Sequence, residues 1–284
     1  MISTNTSKEK KGNSKKSSKV KYVEPAESIY MIYKQFLKNS NIISNEEWDD
    51  FNQDKQAKKN IEVYEKLKDF SHNIGDNLGV SKYIYSVFPG CGKSLLAKCA
   101  GKEALRKFAE DEYHKNQFDY HRRIIPSHLS QLTPVYYLNV RDYIEDLVAG
   151  YNNDQQRQSM AAEKENKLLK PSTRLIILDD VFTQTRTTTG KISTLEIKKL
   201  YSWTEHWSAR NNSDMKSSIS IIFTSNYQFD ELFNIAKKNP FYPEQDNMVT
   251  SQKTASRIGG LLEGNNPDNY LAMKSGPELD FRMI

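Results

Sequence analysis

The sequence predicts an α/β fold in which a parallel sheet is flanked by helices, and three observations carry that expectation. From residue 80 onward, short β-rich apolar runs alternate with helical segments, the texture of βαβ units. The run KYIYSVFPGCGKSLLAKCAGKEAL passes from strand to glycine-rich turn to helix. Leu175-Ile176-Ile177-Leu178 is wholly apolar and ends in Asp179-Asp180, as suits a strand covered on both faces. The 284 residues fit one large domain, or one domain with a small appendage.

Taken in order, residues 1–24 read as a disordered basic tail. Residues 1–22 hold seven lysines against Glu9, a local +6 within a net +5, so the body of the chain is close to neutral. The tail reads either as a solubilising terminus or as a nonspecific phosphate-binding arm. Residues 25–78 read as a helical appendage. Ile29, Ile32, Tyr33 and Phe36 share one face of a helix from about 26 to 38. A second helix is expected to open at Ser44, with Glu47 as its capping-box partner, and to run through Trp48, Phe51, Ile61, Tyr64, Leu67 and Phe70 to Gly75. Their apolar stripes must face either the main domain or a partner protein.

The main domain spans 79–284. Strands are expected at Lys82 to Val87, Pro134 to Val140, Arg174 to Leu178 and Ser218 to Thr224, and helices at Lys93 to Glu110, Arg141 to Val148, Gln155 to Leu169 and Leu195 to Arg210. Glu112 to Leu132 fits neither period and reads as a loop insertion. No run approaches the roughly 20 apolar residues of a membrane helix, and the lysine-bearing start lacks an apolar signal segment, so a cytoplasmic protein without membrane contact is expected. Cys91 and Cys99 have no neighbouring His or Cys, which supports neither a disulfide framework nor a zinc site.

The stretch Pro89-Gly90-Cys91-Gly92-Lys93-Ser94 resembles a Walker A phosphate loop. Glycines let backbone N–H groups curl around phosphates, Lys93 brings a charge to the terminal phosphate oxygens, and Ser94 offers a hydroxyl to Mg²⁺. The nucleotide-binding set is therefore Pro89, Gly90, Cys91, Gly92, Lys93, Ser94 and Leu95, with ATP and Mg²⁺ as the implied cofactors. Val87 stands where the first glycine of that motif would be. Cys91 either fills a variable loop position or is a thiol activated by the helix N-terminus. Cys99 reads as a small buried hydrophobe.

The paired acids resemble a Walker B strand, which makes Asp179 the residue that orders Mg²⁺, alongside Ser94, and Asp180 the one that orients the attacking water. Thr224-Ser225-Asn226 closes the fourth strand, and Asn226 resembles the sensor 1 residue of AAA+ ATPases. Arg257, in the Ser-Arg-Ile segment on a short helix, and Arg282, near the end, resemble an arginine finger and a truncated sensor 2; each is otherwise a surface arginine.

The order of phosphate loop, VYYLNVRDYIEDLV, the acidic strand, FTSNYQFDEL, SRI and a terminal Asp-Phe-Arg resembles the DnaC/DnaI-type helicase loaders of bacteria and phages over roughly residues 80–284. The resemblance implies an AAA+ ATPase with a truncated lid. It also implies a replicative hexameric helicase as partner, single-stranded DNA as the second ligand, and self-assembly through the arginine finger. Arg141, Arg157, Lys164 and Lys167, between the second and third strands, are then the candidate DNA contacts. Two rival readings share the same motifs: a transposition-helper ATPase acting with a transposase on duplex DNA, and a non-hydrolysing interaction module stabilised by nucleotide.

Overall fold

A computed structural model describes residues 24–52, 59–116, 127–182, 194–213, 218–231, 244–263 and 266–276. The basic tail up to residue 23 and Arg282 lie outside the described residues. The four expected strands form, as β1 (Lys82–Tyr85), β2 (Val135–Asn139), β3 (Leu175–Val181) and β4 (Ser220–Ser225). A further strand, β5 (Tyr270–Ala272), completes a five-stranded sheet in the order β2-β3-β4-β1-β5, with every pairing parallel. This is an α/β fold with a parallel sheet flanked by helices.

The sheet is covered on both faces, and period-two alternation decides which side chain goes where. Ile84, Val135, Leu175, Ile177 and Ile222 point to one cluster, whereas Tyr83, Tyr136, Ile176, Leu178 and Phe223 point to the other. The first cluster is closed by α1 (Pro25–Asn39), α2 (Trp48–Asn52), α3 (Ile61–His72) and α4 (Lys93–Lys115). On the opposite face lie α5 (Val140–Tyr151), α6 (Gln155–Leu168), α7 (Thr194–Ser213) and α8 (Glu244–Leu261).

The apolar stripes of the N-terminal helices are spent on the first of these clusters. Ile32, Phe36, Phe51, Leu67 and Phe70 are buried together with Leu96, Ala97 and Leu105 of α4. Gly101 of α4 is the closest meeting point: a Cβ there would stand 2.6 Å from Ile177 and 2.7 Å from Ile42. Glu47 fastens the same region by pairing with Arg106 at 2.8 Å and with the buried Lys102 at 3.3 Å. That use of Glu47 corrects the expected capping box. Ser44 instead accepts the N–H of Glu46 and donates to its carboxylate, and the segment forms two helices, α2 and α3, with 53–58 outside the described residues. Helix α3 ends at His72, three residues before Gly75.

Further readings differ from expectation. Helix α4 continues to Lys115, because Ala109 and Tyr113 keep the buried face going past Glu110. Of the expected loop insertion, 117–126 lies outside the described residues and Ser127–Gln131 is a 3₁₀ turn with Leu129 buried. Helix α8 is 18 residues long, so Arg257 stands on a long helix and not a short one. Among the described residues, no helix is long and apolar enough to cross a membrane.

Candidate functional site

The site gathers at the carboxyl ends of β1, β3 and β4, where the chain leaves the sheet for helices and where open α/β sheets bind ligands. After β1, Ser86 donates to the Phe88 carbonyl at 2.7 Å and closes the first turn. Gly90 (φ 83°) and Gly92 (φ 91°) follow in the left-handed region, which glycine enters without steric cost. Gly92 caps α4 and its carbonyl accepts the N–H of Leu96 at 2.9 Å, so the loop delivers the helix N-terminus to the cleft. Val87, at the departure from the glycine motif, is 69% exposed and is not in the wall of the cleft.

Lys93 is buried, yet its partners among the described residues are neutral. Its Nζ donates to Asn226 Oδ1 at 2.8 Å and lies 3.9 Å from Cys91 Sγ. A buried ammonium ion held directly only by an amide and a thiol, with the Asp180 charge acting on it from across the cleft, leaves room for an anionic ligand to approach it. Cys91, between the two loop glycines, is buried. Cys99 is buried too, and that burial pushes the thiol up to about 12 against the opposing charge of Lys102, which fits the reading as a small apolar filler.

The acidic pair is split by a bulge. Pairing between β3 and β4 runs regularly to Leu178 and resumes at Val181, and between them Asp180 adopts φ 59°. Asp179 turns inward and is 2% exposed. The Tyr137 hydroxyl donates to its Oδ2 at 2.6 Å and the Thr224 hydroxyl to its Oδ1 at 2.5 Å. Thr224 Oγ1 also accepts the N–H of Asp180 at 3.0 Å, so one hydroxyl fixes both acids. Asp180 is the acid that lines the cleft. Burial, and then the charge of Asp179, push its carboxyl above the usual range; Lys93, Arg141 and a hydrogen bond from Asn139 oppose the shift.

The resulting cleft of about 600 Å³ is walled by Pro89, Gly90, Gly92, Lys93, Ser94 and Leu95 on the loop side, and by Asp180 and Asn226 at the strand ends. Of the expected binding set, Cys91 alone is not in its wall. Asp179 is also absent from the wall, standing behind Thr224. Arg141, expected to meet DNA, is in the cleft instead. It is half-buried, and its only ion pair among the described residues is the 3.5 Å contact with Glu145. The other candidate DNA contacts each face an acid: Arg157 meets Asp154 at 3.6 Å, Lys164 meets Asp146 at 2.6 Å and Lys167 meets Glu163 at 2.8 Å. Arg257 lies outside the cleft, with its guanidinium 3.6 Å from Glu205 of α7.

Sequence reasoning missed Tyr137, Asn139, Thr224 and Arg141, together with Glu46 and Asp50, which close the cleft from the N-terminal segment. Thr224 sits inside the TSN run that marks the strand end, so the run itself was a signal. Asn139 also caps α5, accepting the Asp142 N–H at 3.0 Å, a capping pattern readable in NVRD. Tyr137 had none, because its role follows from strand register. No protein-family model matches the chain, and a search of curated proteins finds no match either.

Proposed function

We propose that this cleft binds ATP with Mg²⁺ and hydrolyses it, and that the chain is an AAA+ helicase loader that engages a replicative helicase and single-stranded DNA. The observation that carries the catalytic part is the position of β4 between β1 and β3. Its end ties the two halves together, Asn226 on Lys93 and Thr224 on the acidic pair. Those are the contacts a sheet must make to hold a phosphate cradle and a carboxylate opposite each other.

The residues suit both ligands. Lys93 and the loop N–H groups would hold phosphate oxygens at the α4 N-terminus. The Asp180 carboxylate and the Ser94 hydroxyl, both in the cleft wall, suit a hard cation, and Mg²⁺ characteristically takes only one or two protein ligands and completes its shell with phosphate and water. Ser94, in the cleft wall, would hold the ion, and Asp179, buried behind Thr224 and already accepting from Tyr137 and Thr224, would act on it through its water shell; when bound, the ion neutralises charge on the transferred phosphoryl group. Asp180, displaced into the cleft by the bulge, would orient the attacking water, while Asn226 and Lys93 steady the phosphate being transferred.

Arg141 adds a cation that the family resemblance did not supply. Replacing it by alanine is expected to lower phosphate release about ten- to hundredfold, the range of one charge-assisted hydrogen bond, while DNA affinity changes little. The reverse pattern would return Arg141 to the DNA path. The loader reading rests on the order of motifs, and on an N-terminal helical layer that keeps Tyr30, Ile43 and Ile61 exposed after its main stripes are buried. Pull-down of the full chain with a replicative hexameric helicase and, separately, with a transposase tests it. Retention by the helicase alone is expected, retention by the transposase would favour the transposition-helper reading, and absence of phosphate release would favour the non-hydrolysing module.

A further inference from the structure

One acid beside the cleft has no part in the chemistry above. Glu196, in the first turn of α7, is 1% exposed. Its Oε1 accepts the N–H of Phe182, and its Oε2 has no hydrogen-bond partner among the described residues. Burying a carboxyl group with half of its capacity unused is costly, so its position calls for a reason.

The reason lies in the backbone it holds. Phe182 has φ 62°, a left-handed conformation that a bulky side chain rarely adopts, and Asp180, two residues earlier, has φ 59°. The strand end that brings Asp180 into the cleft is therefore a bulge with a left-handed residue at each side of Val181. Such strain persists only where neighbours over-determine it. Thr224 of β4 takes the N–H of Asp180, and Glu196 of α7 takes that of Phe182. The corner is pinned from the sheet on one side and from a helix on the other.

We propose that Glu196 is a positioning residue for Asp180: by holding the Phe182 N–H it fixes the left-handed corner that turns the Asp180 carboxylate into the cleft. The inference rests on reading the cleft as a site of ATP hydrolysis. Burial, and to a smaller extent the charge of Asp180, push the Glu196 carboxyl up to about 8, against the opposing pull of the Phe182 N–H. Asp180 on β3 is the one charged group that acts on it among the described residues; from α8, packed along α7, Thr254 reaches the adjacent Ile197 carbonyl. At neutral pH the group is thus a carboxylic acid. Its carbonyl oxygen accepts the Phe182 N–H without placing, besides Asp179, a further anion near Asp180. Above about pH 8 it ionises, and the new buried charge opposes that of Asp180.

The test is steady-state phosphate release with Mg²⁺-ATP for wild type, Glu196→Gln and Glu196→Ala, followed by the temperature of unfolding. Wild-type kcat is expected to fall as pH rises through about 8, whereas Glu196→Gln keeps the wild-type rate at pH 7 and loses that alkaline fall. Glu196→Ala is expected to lower kcat about ten- to hundredfold, the scale of an ångström-level misplacement, with KM nearly unchanged. The folded protein holds this proton more tightly than the unfolded chain, so stability declines between about pH 4.5 and 8; Glu196→Gln should melt higher than wild type at pH 8 and level with it at the acid end. Should the alanine variant fail to fold, the glutamine variant decides by itself. An alkaline fall that persists in Glu196→Gln, or a folded Glu196→Ala with the wild-type rate, overturns the proposal alone. A wild type that releases no phosphate overturns the reading of the cleft, and the positioning role with it.

Discussion

Arg257→Ala is expected to cut ATP turnover by about 10³ to 10⁵ in the assembled protein while leaving nucleotide binding nearly intact, the range found when an arginine finger is supplied in trans. The residue is half-exposed on α8 and outside its own cleft, and its contact with Glu205 is long at 3.6 Å. Releasing it from so solvated a pair costs little. As the finger of the proposed assembly it would serve a neighbouring subunit, so wild-type turnover per chain should also rise with protein concentration. Subunits carrying Arg257→Ala keep an intact cradle, and subunits carrying Lys93→Ala keep an intact finger. Mixing the two should restore part of the activity. No rescue at any ratio would argue against a shared site, and so against a working assembly.

Lys93→Ala is the second large effect, and it acts on binding. The ammonium is buried between Asn226 and Cys91, with no carboxylate in ion-pair range among the described residues. Its charge is therefore available to phosphate without first breaking a salt bridge. Removing it forfeits a charge-assisted contact of about 1.5 to 3 kcal/mol, which is about ten- to hundredfold in affinity for Mg²⁺-ATP. Calorimetric titration of wild type and variant reads this directly. Equal affinities would mean that the loop does not bind the phosphates.

The strands and the loop were legible because their signals are local. LIIL is apolar throughout and SISIIFT has an apolar β-branched and aromatic centre, as suits strands covered on both faces, and the glycines at 90 and 92 sit where the turn requires positive φ. β5 was not legible: three residues, Tyr270 to Ala272, carry no periodicity, and they are a strand only because β1 offers a free edge. Ser44 followed by Glu47 matched a capping box by spacing, but Lys102 and Arg106, more than fifty positions away, outbid the helix for the Glu47 carboxylate. The acidic pair shows the same limit. Sequence gives two consecutive aspartates, whereas the bulge that sends Asp179 inward and Asp180 outward depends on Thr224 and Glu196 from other elements. Arg141 was assigned to DNA from its place between strands; the end of β2 lies beside β3, and this carries the first turn of α5 to the cleft.

The central claim is that the cleft hydrolyses ATP with Mg²⁺, and phosphate release by the purified full chain, with Mg²⁺ and with the metal chelated, tests it most directly when wild type is compared with Asp180→Asn. The predicted result is release by the wild type only with Mg²⁺, and loss of release in Asp180→Asn although that variant still binds ATP. Release that is indifferent to the metal, or undiminished in a folded Asp180→Asn, would contradict it.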